Sequence, residues 1–472
     1  MRDTELAFMP TSELRARIAS KQLSPVEVTR LYLQRIEALD TQLNSYLTVT
    51  GDLALQMARD AEQAVLDGKP LGALHGVPIS IKDLEVSKGI RTTLGCLVFE
   101  DTVPEVDSIV VERVRRAGAV ILGKTNTPEF GLLGTTENRL GDACRNPWNR
   151  ERTSGGSSGG AGAAVVAGLC SLATGSDGGG SIRIPSSFCG VYGIKPTQGR
   201  VPRAGGLGRP AVAQFSQSGP MARTVRDAAI LLQVLAGPDP RDASCLRAAP
   251  PDFSAGLEQG VRGLRLGWSV DFGYAAVDPH VVQVTSQAAH VFESLGCHVE
   301  DANLTFDDPF TAFWAIFSAN AYAGYGHLLD QQADQLTFYG RACLEHGARV
   351  SGADYARALL SVDQLRAKFT TLMQTYDLIL TPTMAVPAFP LDQPPATIAG
   401  RSVHPFWGYL PFTFPINMIG HPAASIPCGF SADGMPIGLH IIGRHGDEAL
   451  ILRASAAFET MQPWADKRPA MA

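Results

Sequence analysis

Hydrophobic and polar positions along the chain alternate between two periods. Near the start, "LSPVEVTRLYLQRIEALD" repeats apolar residues at helical spacing, with Ser24 as N-cap, Pro25 at the first helical position and Glu27 placed to complete a capping box. A second helix, "DLALQMARDAEQAVLDGK", is predicted to stop at Gly68. Short apolar runs bounded by turn residues follow: "GVPISIKD", "GAVILGKT" and "CSLATGSD". They are too short for helices. Their apolar character on both faces suits central strands of a sheet covered on both sides. Before the third run lies "SGGAGAAVVAGLC", a helix of small residues able to approach a neighbouring backbone closely.

Residues 238–251 are rich in Pro, Asp and Ala and read as a surface connection. Strand character resumes in "GLRLGWSV", and "DPHVVQVTSQAAHVFESLG" reads as an amphipathic helix. Residues 305–359 are more polar and aromatic, as expected of a variable segment on the substrate side. "DLILTPT" and "PIGLHIIGR" restore strands near the end. With no internal repeat and no low-complexity linker, these alternating elements predict an α/β fold in a single domain, residues 1–472.

Composition narrows the class. Of 472 residues, 45% are hydrophobic and 18% charged, the balance of a globular chain with a large core. A net charge of -6 without any Lys/Arg run argues against nucleic acid as a partner. The N-terminus "MRDTELAFMP" lacks the basic-then-apolar pattern of a signal peptide, and no apolar run reaches the roughly 18 residues of a membrane helix. Eight scattered cysteines without a CxxC pair read as reduced, buried thiols. No H-E-x-x-H or similar ligand spacing appears, so no metal and no cofactor is expected. The expectation is a cytoplasmic protein acting away from membranes.

Three patterns compete as sites. "GAVILGKT", residues 118–125, satisfies the P-loop expression letter for letter. Its four intervening residues are Ala, Val, Ile and Leu, which read as the strand itself and not as a flexible phosphate cradle. "GGSSG", residues 155–159, satisfies the G-x-S-x-G nucleophile elbow, yet polar, turn-like residues precede it where that motif needs a strand. His280, His327 and His440 lie downstream, and nothing ties any of them to Ser157. The third pattern is a constellation: Lys82, Ser157 and Ser181. Lys82 sits in an apolar strand-like run, where a lysine is costly unless paired or neutral. One reading pairs it with Asp83 or Glu85. The other lets burial lower its pKa from about 10.4 toward the 7 to 8 of a proton acceptor.

The run "SGGSSGGAGAAVVAGLCSLATGSDGGGSIRIPSSFCGVYGIKPT" resembles the amidase signature family. So do "GVPISIKD", "GAVILGKTNTPEFG", "NPWN", "SQSGPMARTVRDAA" and "PINMIGHPAASIP". The core of the likeness spans about residues 76–230, and it thins over about 239–377. The resemblance implies a large mixed β-sheet covered by helices on both faces. It further implies Ser181 as nucleophile, Ser157 after a cis peptide bond as bridging serine, and Lys82 as ultimate base. Backbone N–H groups of Gly178, Gly179, Gly180 and Ser181 would form the oxyanion hole. Asp177 and Arg183 flank the nucleophile and are expected to pair and fix its loop. Ser154 and Ser158 read either as hydrogen-bond partners around the triad or as simple turn and cap serines.

Within that family, the glutamine-hydrolysing component of the tRNA-dependent amidotransferases works with partner subunits and usually resembles "YGRVSRYG" and "SSLDQIGP". This chain has "QGRVPRAGG" and "FSQSGP" instead. Membrane-type fatty acid amide hydrolases carry an N-terminal apolar helix that this sequence lacks. A stand-alone amidase of small molecules is the expectation, with a carbamate (urethane) hydrolase as the alternative and esterase side activity. Homodimers occur among relatives, although no interface is legible. Phe406, Trp407 and Tyr409, with Phe412 and Phe414 nearby, either receive an aryl group or belong to the core.

Overall fold

The computed structural model describes residues 3–204 and 215–471. Gly205 and Gly206, the end of "QGRVPRAGG", lie outside the described residues. Eleven strands form one mixed sheet. In chain order they are β1 (Tyr46–Val49), β2 (Pro78–Lys82), β3 (Val120–Thr125), β4 (Leu172–Asp177), β5 (Tyr192–Lys195) and β6 (Gln217–Ala222). The remaining five are β7 (Arg265–Trp268), β8 (His298–Asp301), β9 (Leu378–Pro382), β10 (Ala423–Phe430) and β11 (Pro436–Ile442). Their order across the sheet is β1-β3-β2-β4-β6-β5-β10-β11-β9-β7-β8. The pairs β2–β3 and β2–β4 are parallel, and β4–β6, β5–β6 and β10–β11 are antiparallel.

The helices that bear on the site are α1 (Pro25–Leu39), α2 (Gly51–Leu66), α3 (Gly159–Val166), α4 (Arg183–Cys189), α5 (Phe310–Tyr325), α6 (Gly352–Thr375) and α7 (Phe414–Ile419). Ser24 caps α1 by accepting from Val26 N and Glu27 N, while its own proton goes to Glu62 in α2. Gly68, at φ +66°, closes the turn after α2.

Every residue of β2, β3 and β4 is buried, which explains the apolar residues with which each begins. Ile79 and Ile81 point into one core with Leu172, Ile194 and Leu439. Strand alternation therefore sends Lys82 to the opposite face, where α3 and α4 pack. The small-residue helix does what its composition allows: a Cβ on Gly160 would come within 2.4 Å of Asn126 N and 2.5 Å of Ser45 O. The P-loop-like text is β3 itself. Lys124 is fully buried and donates to Glu85 O (2.6 Å) and Thr92 Oγ1 (2.8 Å), with Asp83 Oδ1 at 3.5 Å.

Strands β5, β6 and β10 do not stand out in the sequence. Pro220 and Pro427 lie inside β6 and β10 and glycines interrupt all three, so they read as breakers. Residues 305–359 hold α5, a helix at Phe338–Gly347 and the start of α6.

Candidate active site

Four elements converge on one place. Lys82 ends β2, Ser157 and Ser158 precede α3, Ser176 and Asp177 end β4, and Ser181 precedes α4. Lys82 is fully buried, and Ser157 and Ser181 are 2% and 8% exposed. The Lys82 Nζ donates to Ser157 Oγ at 2.7 Å and to Ser158 Oγ at 2.8 Å, and lies 3.4 Å from Ser176 O. The Gly156–Ser157 peptide is cis. Ser158 N donates to Ser181 O at 3.1 Å, tying the two serine segments together. No hydrogen bond joins the hydroxyls of Ser157 and Ser181, which line the same cavity of about 110 Å³. Ser154 stands apart, its Oγ donating to Cys144 O at 3.1 Å.

Asp177 organises the loop between β4 and α4. Its carboxylate accepts from Gly180 N (2.8 Å), Ile182 N (3.2 Å), Arg183 Nε (2.9 Å), Arg183 Nη2 (2.9 Å) and Asn417 Nδ2 (2.8 Å). Burial pushes this carboxyl up, but the Arg183 guanidinium, with Lys195 and Asn417, outweighs it and holds the group well below the usual carboxylate range. Arg183 also donates to Thr413 O and Asn417 Oδ1 and meets His440 Nε2 at 3.0 Å. Burial, then Arg183, lowers the neighbouring Lys195 to about 7.

A buried pair of this kind is most costly when one partner is removed. Arg183→Leu should destabilise the fold by about 3–5 kcal/mol, measured by urea unfolding. Because the folded carboxyl lies below its unfolded value of about 3.9, Asp177 stabilises fully above that pH. The contribution disappears as pH falls further. Arg183→Leu should flatten that acid dependence.

The same contacts refine the expected oxyanion hole. The Gly180 N–H is already donated to Asp177, which leaves the N–H groups of Gly178, Gly179 and Ser181 as the candidates for that hole. The Gly179–Gly180 peptide is held at both ends: its N–H by Asp177, and its carbonyl by Thr413 Oγ1 at 2.7 Å. Gly180 has φ +133°, and a Cβ there would meet Thr413 Oγ1 at 2.4 Å, so only glycine fits. Thr413→Val should lower kcat roughly tenfold with KM little changed, less than the hundredfold or more for losing an oxyanion donor outright. Thr413→Ser should restore it.

The cavity wall corrects the aromatic expectation. Phe130, Phe215, Phe317 and Tyr325 line it, with Leu84, Leu132, Ala321 and the polar Arg203, Ser216 and Asn320. Phe130 adopts φ +53° and stacks on Tyr325 at 3.9 Å and 9°. Gly131 beside it passes so close that a Cβ would lie 3.1 Å from Ser157 Oγ. Trp407 packs behind, against Phe313 and Phe317, and Phe406 and Tyr409 line a different cavity. Phe412 and Phe414 are core. The wall comes from α5, from the "PEFG" turn and from Phe215 and Ser216 just before β6. The turn lies within a stretch that resembles the family, whereas the α5 residues carry only the expectation of a substrate-side segment.

A two-faced mixed sheet that buries a lysine against a serine, beside a second serine in a glycine-rich loop, defines a hydrolytic α/β enzyme. The family described as Amidase matches residues 27–452, and the chain belongs to it. It is an amidase, a hydrolase of amide C–N bonds. It is 39% identical to an acylamidase of Rhodococcus erythropolis over all of this chain and 99% of that one. A bacterial aryl acylamidase of the amidase signature family superposes with a TM-score of 0.91 at 32% identity, covering 97% of both chains. A 6-aminohexanoate cyclic dimer hydrolase superposes with a TM-score of 0.89 at 31% identity, covering 98% of this chain and 99% of that one. Among the described residues, no helix is long and apolar enough to cross a membrane.

Proposed function

We propose that the chain hydrolyses small aryl amides through an acyl-enzyme on Ser181, with Ser157 and Lys82 as proton relay. The observation that carries this reading is the buried Lys82 Nζ at 2.7 Å from Ser157 Oγ, in a cavity that Ser157 shares with Ser181. Ser181 Oγ attacks the carbonyl carbon as its proton passes to Ser157, whose own proton passes to neutral Lys82. This transfer requires the Ser181 hydroxyl to turn toward Ser157 when substrate closes the site. The oxyanion is stabilised by N–H groups of Gly178, Gly179 and Ser181. As the C–N bond breaks, the proton returns through Ser157 to the departing nitrogen. Water then attacks the ester, its proton takes the same route, and the acid leaves with Ser181 restored. Ser158 holds the lysine in place.

The aromatic wall of Phe130, Phe215, Phe317 and Tyr325 supports an aryl group. The similarity to an acylamidase and an aryl acylamidase supports that choice. Glutamine hydrolysis for a tRNA-linked partner is disfavoured, because no carboxylate lines the cavity among the described residues to meet an α-ammonium group. Carbamate hydrolysis is the second reading, since the same relay attacks a carbamate carbonyl. We place the enzyme in the cytoplasm, as one unit of 472 residues, with a homodimer as the assembly that the family resemblance suggests.

The test is release of 4-nitroaniline from an acyl anilide and from a carbamate with the same leaving group. The anilide is expected to be turned over much faster. A carbamate that keeps pace would make urethane hydrolysis the function.

A further inference from the structure

Behind the loop that carries Ser157 lies a second cavity of about 280 Å³, larger than the catalytic one. Two aromatic pairs wall it. Phe389 and Tyr409 meet edge to face at 4.9 Å, and Phe338 and Phe406 lie 5.9 Å apart. Phe338 is 65% exposed and stands at the mouth. Two carboxyl groups, Glu137 and Asp392, also line the cavity, and no lysine or arginine does among the described residues. Burial and the neighbouring Asp392 raise the Glu137 carboxyl, as expected for two acids sharing a place with no cation between them.

An independent observation points to a ligand. Tyr409 is 1% exposed and lines this cavity, yet its hydroxyl makes no hydrogen bond to any described residue. Buried phenols normally find a partner. The hydroxyl lies near enough to Glu137 for that carboxylate to bear on its ionisation. One corner of the cavity thus presents a carboxyl pair and the hydroxyl of the buried Tyr409, open to the cavity, and the other walls include aromatic faces. That combination suits a cation with an apolar body, which gains both from charge pairing and from the ring faces.

We propose that the cavity walled by Phe338, Phe389, Phe406 and Tyr409 is a binding site for an organic ammonium ion carrying an aromatic or cyclic group. Its charge sits against the Glu137–Asp392 carboxyl pair, and its N–H is donated to the Tyr409 oxygen. The site adjoins the catalytic one through a shared wall: Thr136, on the cavity, donates to Gly155 O at 2.8 Å and accepts from Gly159 N at 3.2 Å. The ammonium could come from amide hydrolysis or from free amines in solution, and the chemistry recognised is the same.

The test is calorimetric titration of the full chain with benzylammonium and with benzyl alcohol, its neutral analogue, near pH 8. Benzylammonium is expected to bind saturably and at least tenfold more tightly than the alcohol. Asp392→Asn and Glu137→Gln should each weaken it about tenfold, and Tyr409→Phe several-fold, with circular dichroism reporting that the variants are folded. Asp392 is exposed, so its variant stays informative even if the Glu137 variant does not fold. No saturable binding, equal affinity for the alcohol, or unchanged affinity in Asp392→Asn would each overturn the proposal. In the last case, competitive inhibition of hydrolysis would assign the amine to the Ser181 cavity.

Discussion

Ser181→Ala is expected to abolish amide hydrolysis, with a loss of about a millionfold, the scale on which a serine hydrolase loses its nucleophile. The reason lies in the loop geometry. Asp177 and Thr413 hold the Gly179–Gly180 peptide while Ser181 remains at the edge of the cavity, 8% exposed, with its backbone carbonyl tied to Ser158 N. Substitution by alanine leaves this frame intact, so the loss would report chemistry and not unfolding. A fluorophosphonate probe provides the direct reading: the wild-type chain is labelled, and the variant is not. Labelling that persists in Ser181→Ala would move the nucleophile elsewhere, with Ser157, on the same cavity, the next to test.

Lys82→Ala should separate two classes of substrate. An amide expels its nitrogen only once that nitrogen is protonated, so loss of the relay removes both the base and the acid of the reaction. Each such function is worth about 10²–10⁴-fold, and a fall of roughly ten-thousandfold or more is expected on an anilide. An activated ester with a nitrophenolate leaving group departs without a proton and loses only the base. Its fall should be at least an order of magnitude smaller. Parallel kinetics on a matched anilide and nitrophenyl ester measure the difference, and equal losses would remove Lys82 from leaving-group protonation. Lys82 is enclosed by Ser157, Ser158 and the end of β4, so Lys82→Met, which keeps the volume, is the control for packing.

The strands that position this chemistry are readable because they are buried on both sides. Enclosure above and below favours apolar residues, so "PISI", "VIL" and "LAT" appear as largely apolar runs, and a lysine at the end of one is conspicuous. Strands β5, β6 and β10 are largely buried too but carry proline or glycine where α4 and the neighbouring strands come close. Gly193 in β5, for example, leaves room for Ser186, and Gly219 in β6 for the Ile194 carbonyl. Local propensity there points away from strand, and tertiary contact overrides it.

The distinction between the two glycine-rich words also belongs to the fold. "GKT" and "GSS" are both short matches to catalytic expressions. Only the register of β2 beside β3 shows that Lys124 is consumed by Glu85, Thr92 and Asp83, away from Ser157. Aromatic residues mislead for a related reason. Phe406, Trp407 and Tyr409 are close in sequence, but packing sends them to different surroundings. The residues lining the cavity of Ser181 come instead from one face of α5, from Phe215 before β6 and from Phe130, which sits at φ +53° in its turn.

Short-range pattern suffices for the α/β class, the central strands, the amidase family and the candidacy of Lys82, Ser157 and Ser181. Each depends on uninterrupted burial, small residues in a row, or a run long enough to be specific. Packing sets the rest: that Lys82 meets Ser157 and Ser158, that the Gly180 N–H is taken by Asp177 and that Thr413 holds the Gly179 carbonyl. It also selects which aromatic rings form the pocket. Those are distances between segments far apart in the chain, and no local pattern encodes them, because they follow from how whole strands and helices pack against one another.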